Sequence, residues 1–294
     1  EKLNYIYMLT INDIRGTNPN LWNSWKHDLL KQLFMSSRKK LNLDEKQSND
    51  SIIKERKLSS IKSIPEAKNE FLIKVWNQLS NTYFSKYQIQ QLSDQAKTIA
   101  SSEGKTSILI KSRKNLIEIF VFTSNQPGLF FKTVQSFEHL SIETIDSDIH
   151  TTDDGLYALN TFICRHKILG GNLIQRDIQK IQKKIIAAID SENPKSVAKA
   201  KPKTKKVFEY QTKVHITDSS IKNISLITLE TLDKPNLLSE VAKIFLDHGV
   251  SIDSARITTL GEKVEDNFTV SDEKTKSAIS KNKAQQIQKK LKSL

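Results

Sequence analysis

Two short stretches carry residue types that could recognise a small polar ligand. Asn125-Gln126-Pro127-Gly128-Leu129 opens the run NQPGLFFKTVQSF, and 108 residues later Asp233-Lys234-Pro235-Asn236-Leu237 opens DKPNLLSEVAKIF. Each proline precedes apolar residues at helical spacing, so each turn leads into a helix N-terminus. The first amides of a helix lack intrahelical partners and carry partial positive charge, which suits a carboxylate. Gly128 lets backbone come close to a ligand because no Cβ intervenes. An acid or amide just before the proline suits an ammonium. Together these features fit a free amino acid. A proline turn into a helix is also a common structural connection, and spacing alone leaves both readings open.

The two copies differ. The first keeps Gly128 but has Asn125 where the second has Asp233; the second has Asn236 in place of the glycine. Asn tolerates left-handed backbone better than other non-glycine residues, so the turn shape is expected to survive. Either one site has decayed, or one composite site takes the Gly128 amides from one copy and Asp233 from the other.

Other reactive side chains are sparse. Asp146, Asp148 and His150 alternate along a predicted strand and share a face; a metal site or a solvated strand edge would use that pattern, the edge being the simpler expectation. Arg256 is placed to pair with Glu265 or Asp266 across a hairpin. The single cysteine, Cys164, lies in the apolar run TFIC, which predicts a small buried hydrophobe and excludes an internal disulfide framework. A reducing, cytoplasmic setting fits.

These groups must be positioned by a chain of 294 residues, 37% hydrophobic and 27% charged, which is enough for about two domains with their own cores. No apolar run approaches the roughly 18–20 residues of a membrane span, and the opening EKLNYIYMLT does not read as a signal peptide. The net charge of +13 is mostly lysine. Sequence-specific DNA readers favour arginine, and no nucleic-acid motif is present, so the charge reads as solvated surface rather than a nucleic-acid interface.

Residues 1–43 read as helix, with Leu3, Ile6, Met8, Leu9 and Ile11 resembling the middle of a buried one and Trp22, Trp25, Leu29, Leu30 and Leu33 at helical spacing. The chain is expected to be the C-terminal part of something longer. Residues 44–106 read as a polar linker or solvated helix followed by helices. From Ser107 the period changes to strands. The first copy spans 107–217 and the second 221–294. Each reads strand, turn, helix, strand, hairpin, strand, helix; the first adds a final strand, VFEYQTKVHIT, and the second lacks a clear one. Residues 194–206 hold six lysines and no acid, which suits a solvated linker. The fold class is therefore α+β: an N-terminal helical segment followed by two tandem ferredoxin-like βαββαβ units.

The turns, their helices and ARITTLGEKVEDNF (255–268) resemble ACT domains, small amino-acid-sensing modules. With LTINDIRGTNPNLWNSWKHDLLKQLF (9–34), the chain resembles the C-terminal part of the bifunctional uridylyltransferase/uridylyl-removing enzyme family, which modifies the PII nitrogen-signalling protein. The resemblance implies upstream nucleotidyltransferase and HD modules, with residues 1–43 as the end of the HD module. It implies glutamine and PII as partners, a divalent metal such as magnesium in the intact parent, and a metal-ligand place for Asp13 there. It implies ligand contacts from Asn125, Gln126, Pro127, Gly128 and Leu129, and from Asp233, Lys234, Pro235, Asn236 and Leu237. The upstream catalytic motifs are not in this chain, so no catalytic residue is expected, no cofactor is expected to be held here, and the chain alone is expected to be inactive. The alternative is a docking module for PII or a second subunit with no small ligand.

Overall fold

A computed structural model describes residues 2–17, 30, 33–38, 46–62, 64–65, 69–113, 115–170, 172–191, 210–219, 223–260 and 263–294. The chain divides into two units, Glu1–Ser59 and Ser60–Leu294. In the first, α1 (Lys2–Thr17) is helical as its spacing predicts. Ile6, Met8 and Leu9 are nonetheless exposed on it, contrary to the buried helix expected from their pattern. Tyr7 stacks on Phe34 with ring centroids 4.4 Å apart. Trp22, Trp25, Leu29 and the lysine-rich stretch 194–206 lie outside the described residues. The polar stretch after residue 44 forms α2 (Lys46–Ile61), a solvated helix rather than a linker.

The second unit begins with three helices, α3 (Asn69–Asn77), α4 (Asn81–Lys86) and α5 (Ile89–Ser102). The chain breaks at Ser80 and Gln88, both in extended conformation, and Gln88 forms a reciprocal capping box with Gln91. An eight-stranded sheet follows, built from β1 (Ser107–Arg113), β2 (Leu116–Ser124), β3 (Ile142–Thr151), β4 (Tyr157–His166), β5 (Lys213–Ser219), β6 (Ile224–Leu232), β7 (Val250–Leu260) and β8 (Lys263–Asp272). Four helices accompany it: α6 (Leu129–His139), α7 (Gln175–Ile189), α8 (Leu237–Asp247) and α9 (Lys281–Lys292).

The strand order is β1-β2-β4-β3-β7-β8-β6-β5, with every neighbouring pair antiparallel. Read from the centre outward, both halves are the same arrangement, so the duplication seen in the sequence becomes a pseudo-two-fold in the sheet. The two copies meet at β3 and β7, where Asp146, Ser147 and Asp148 pair with Arg256, Ala255 and Ser254. The Ser147 hydroxyl donates to the Ala255 carbonyl at 2.9 Å. A register shift falls between Thr144 and Asp146 in one copy and between Ile252 and Ser254 in the other, the same place 108 residues on. Such irregularities bend and twist a strand, here just where the halves join.

The α+β architecture expected from the sequence is present and is compatible with tandem ferredoxin-like units. One edge strand differs. The strand predicted to close the first copy, described here as β5, pairs with β6 of the second. The matching place beside β2 is held by β1. In each copy the edge strand comes before the first turn instead of after the second helix. The physical reason is loop closure: a strand joined by a short hairpin reaches that edge with little entropy lost.

The two halves of the sheet are covered differently. Along β2, Ile117 to Thr123 are all buried, because helices pack on both faces. On the outer face Phe122 stacks on Tyr157 at 5.2 Å, and Phe71 of α3 meets both rings edge-on. In the second copy burial alternates along β6 and β8, and Leu226 is 42% exposed. That half has one core face and one polar face. On the inner face Phe137 and Phe162 of the first copy and Phe245 and Phe268 of the second belong to one continuous core.

Candidate functional site

Both β-to-α turns adopt the same backbone. Gly128 is the N-cap of α6 with φ 72° and ψ 11°; Asn236 is the N-cap of α8 with φ 65° and ψ 16°. Asn236 thus takes the left-handed conformation that the sequence led us to expect. The Asn236 side chain does not cap its helix, and Gly128 has none to do so.

A swapped ammonium contact fixes the turns, paired with a neutral carboxamide in the first copy and a carboxylate in the second. In the first copy the Lys132 ammonium is buried and donates to Gln126 Oε1 at 2.8 Å and to the carbonyls of Ile189 and Ser191 at 3.3 and 2.8 Å. In the second copy the cation is on the turn: Lys234 donates to Glu240 Oε2 at 2.6 Å and to the Leu294 carbonyl at 3.0 Å. Donor and acceptor have exchanged positions. In both copies an ammonium meets carbonyls at the C-terminal end of the copy's second helix, where the helix dipole favours a cation.

Each turn opens into a cavity completed by the other copy. The first-turn cavity is about 130 Å³ and is lined by Asn125 to Phe131, by Asn160 of β4, and by Leu246 and Ser251 of the second copy. The second-turn cavity is about 340 Å³ and is lined by Asp233 to Leu238, by Asp266 of β8, and by Glu138, Glu143 and Lys167 of the first copy. The ten turn residues named from sequence are therefore brought to two places, not one. Gly128 and Asp233 line different cavities, so the composite of those two residues is not formed. What is composite is each cavity, because the helices α6 and α8 pack against each other across the pseudo-two-fold.

The cavities differ chemically at equivalent positions. Asn160 lies opposite Val121 and Ile149; Asp266 lies opposite Leu229 and Ile257, the residues 108 further on. Asn160 and Asp266 are equivalent, and each is 1% exposed. The first cavity pairs Asn125 with Asn160, and the second pairs Asp233 with Asp266. The Asn160 Oδ1 has no hydrogen-bond partner among the described residues. A buried acceptor left unmade costs about 1–3 kcal/mol, so its place beside the turn is notable. The Asn125 carboxamide, by contrast, donates to the Gly155 carbonyl at 3.1 Å.

Glu138 and Leu246 are the second equivalent pair. The Glu138 carboxylate sits at the α8 N-terminus, accepting from the Ser239 amide at 3.2 Å and from the Ser239 hydroxyl. Burial pushes the Glu138 carboxyl up; the Ser239 hydrogen bonds pull against that, and the net direction is upward. At the other helix Leu246 presses on Gly128, and a Cβ there would lie 2.9 Å from Leu246 Cδ2.

The alternating group on β3 is neither a metal site nor a strand edge. β3 is central in the sheet, and α4 covers its outer face. Asp148 accepts from the Tyr87 hydroxyl at 2.6 Å, is bridged to Lys86 at 2.6 Å, and lies 2.8 Å from His150 Nε2. Burial pushes the Asp148 carboxyl up, but hydrogen bonding and charge from His150, with Lys86 and Tyr87, outweigh it and hold it well below the usual range. Arg256 lies opposite Asn267 and Asp146, not Glu265 or Asp266. Cys164 is fully buried, and burial pushes its thiol up, as befits an inert core residue. Asp13 is exposed on α1, and among the described residues no group of three or more His, Cys, Asp or Glu is arranged to hold a metal. No described helix is long and apolar enough to cross a membrane.

Sequence reasoning missed Asn160, Glu138 and Ser239 as site residues. Asn160 had a signal: it is a polar residue on the core-facing parity of an otherwise apolar strand, YALNTFIC. Glu138 had none, because its partner lies across the interface of the two copies.

Curated relatives align with nearly the whole chain. The uridylyltransferase/uridylyl-removing enzyme of Psychrobacter sp. (strain PRwf-1) is 28% identical over 293 residues, covering 92% of this chain and 32% of its own length. That of Psychrobacter arcticus is 27% identical over 303 residues, covering 96% and 33%. The Acinetobacter baylyi protein is 28% identical over 286 residues, covering 92% and 32%. The chain is homologous to the C-terminal region of the bifunctional uridylyltransferase/uridylyl-removing enzymes. It spans about a third of the length of these uridylyltransferase relatives. No protein-family model matches it. A solved structure of an unknown protein from Galdieria sulphuraria overlaps 53% of the chain and 81% of its own at 13% identity, with a TM-score of 0.21, too low to inform the fold.

Proposed function

We propose that this chain is the amino-acid-sensing regulatory region of an enzyme resembling those relatives, with glutamine as its ligand. The observation that carries the reading is that each β-to-α turn faces the other copy across a cavity. A ligand there contacts both copies at once and binds unequally to arrangements that differ in how α6 and α8 meet. That inequality is what regulation requires. In the whole protein the region would bias transfer and removal of UMP on PII by upstream nucleotidyltransferase and HD modules. Asp13, exposed on α1, would meet a metal such as magnesium only with ligands supplied from those modules. The chain alone turns over no uridylylated PII; measurable release of UMP by the purified chain would sink that part.

The test is thermal unfolding against a panel of free amino acids. At about 100 times its dissociation constant a ligand stabilises by about 2.7 kcal/mol. A shift with glutamine supports the reading, and no shift with any amino acid removes it. The second reading, docking of PII or a second subunit, draws on the open polar face of β6 and β8. Salt separates either from nucleic-acid binding, which weakens steeply as salt rises.

A further inference from the structure

The two cavities are related by duplication but not by chemistry, and the differences point in one direction. The second-turn cavity holds four carboxylates, Asp233, Asp266, Glu138 and Glu143, against the ammoniums of Lys167 and Lys234. Lys234 is already committed to Glu240 and the Leu294 carbonyl. The position at the α8 N-terminus that an incoming carboxylate would take is filled by Glu138, held there by the Ser239 amide and hydroxyl. A zwitterion entering this cavity brings its own carboxylate among four others and must displace one from the helix. The first-turn cavity has a single carboxylate, Glu273, and one ammonium, Lys276, and apolar Leu246 stands at the place equivalent to Glu138. Its strand position is Asn160, a neutral side chain 1% exposed, whose Oδ1 lacks any partner among the described residues. A buried acceptor without a donor is completed when a ligand brings an N–H.

We propose that the first-turn cavity is the ligand site, that Asn160 selects the ligand by accepting one of its N–H groups, and that Glu138 keeps the second-turn cavity closed to a carboxylate. The ligand class is a small zwitterion or carboxamide with an N–H donor placed a few ångströms from its anionic end. This rests on the amino-acid-sensing reading and deepens it by assigning one site, one selecting side chain and one internal competitor.

Calorimetric titration of the whole 294-residue chain with L-glutamine, alongside N160A, N160L and E138A, tests it. N160L keeps the branched outline with the same number of side-chain heavy atoms and removes the acceptor; N160A, which cannot overfill the site, serves as its control, and unliganded melting temperatures report folding for each. The expected result is one site per chain in the unsubstituted protein and a loss of about tenfold or more in affinity in the Asn160 variants, the scale of one buried hydrogen bond. E138A should gain a second binding event. Asn160 variants that fold and bind as tightly as the parent overturn the proposal while leaving amino-acid sensing intact. A parent chain that binds none of the amino acids overturns both. Two equal sites in the parent overturn the role given to Glu138.

Discussion

Glu138 and Ser239 join the two copies: the last turn of α6 supplies a cap for the first turn of its counterpart, α8. The carboxylate of α6 accepts the amide and hydroxyl of a residue 101 positions away. At the equivalent place in the other direction stands Leu246, which packs on Gly128 and offers no hydrogen bond. One side of the pseudo-two-fold is polar and the other apolar.

Replacing Glu138 by Leu makes the two sides alike and leaves the Ser239 amide without its acceptor. The expected cost is about 1–2 kcal/mol, the scale of a lost helix cap, measured by chemical denaturation. The acid dependence runs the opposite way to an ordinary paired carboxylate. The folded protein holds the Glu138 proton more tightly than the unfolded chain, so its contribution is full below the unfolded glutamate pKa, about 4.3, and is lost as pH rises through the raised folded value. E138Q should flatten that part of the stability profile. An unchanged slope would show that Glu138 is not as desolvated as its burial implies.

Asp148 should behave in the reverse sense. Its folded pKa is depressed, so its contribution is present above the unfolded aspartate pKa, about 3.9, and is lost as pH falls below that value. D148N should destabilise at pH 7 by about 2–3 kcal/mol, since Lys86 and Tyr87 lose a charged partner. It should also lose much of the parent's sensitivity between about pH 4 and pH 2. Denaturant midpoints across that range decide it.

The turns predict an asymmetric pair of substitutions. G128A places a Cβ on left-handed backbone and against Leu246, and should cost about 1–2 kcal/mol. N236G, in the same conformation, should change stability by no more than about 0.5 kcal/mol. Equal effects of the two would contradict the shared geometry.

The exchanged ion contacts allow a swap. Q126K alone puts a second ammonium beside buried Lys132 and should destabilise. Q126K/K132E rebuilds the second copy's Lys234–Glu240 arrangement in the first and should recover part of the loss. A double-mutant cycle with no coupling between the two positions would rule out the equivalence.

The local physics of this protein was legible in its sequence. The repeated Pro turns marked two β-to-α junctions, and the change of period at Ser107 marked where helices give way to strands. Those features depend on periodicity and backbone sterics within a dozen residues, and the chain specifies them wherever it is. Tertiary structure decided which edge β5 joins, because hairpin closure and a return crossover compete for the same place and strand pattern is alike for both. It also decided that Gly128 and Asp233 face separate cavities, and that Glu138 lies on Ser239. Contacts across the pseudo-two-fold join residues about a hundred positions apart, and no local pattern records which face of α6 meets which end of α8.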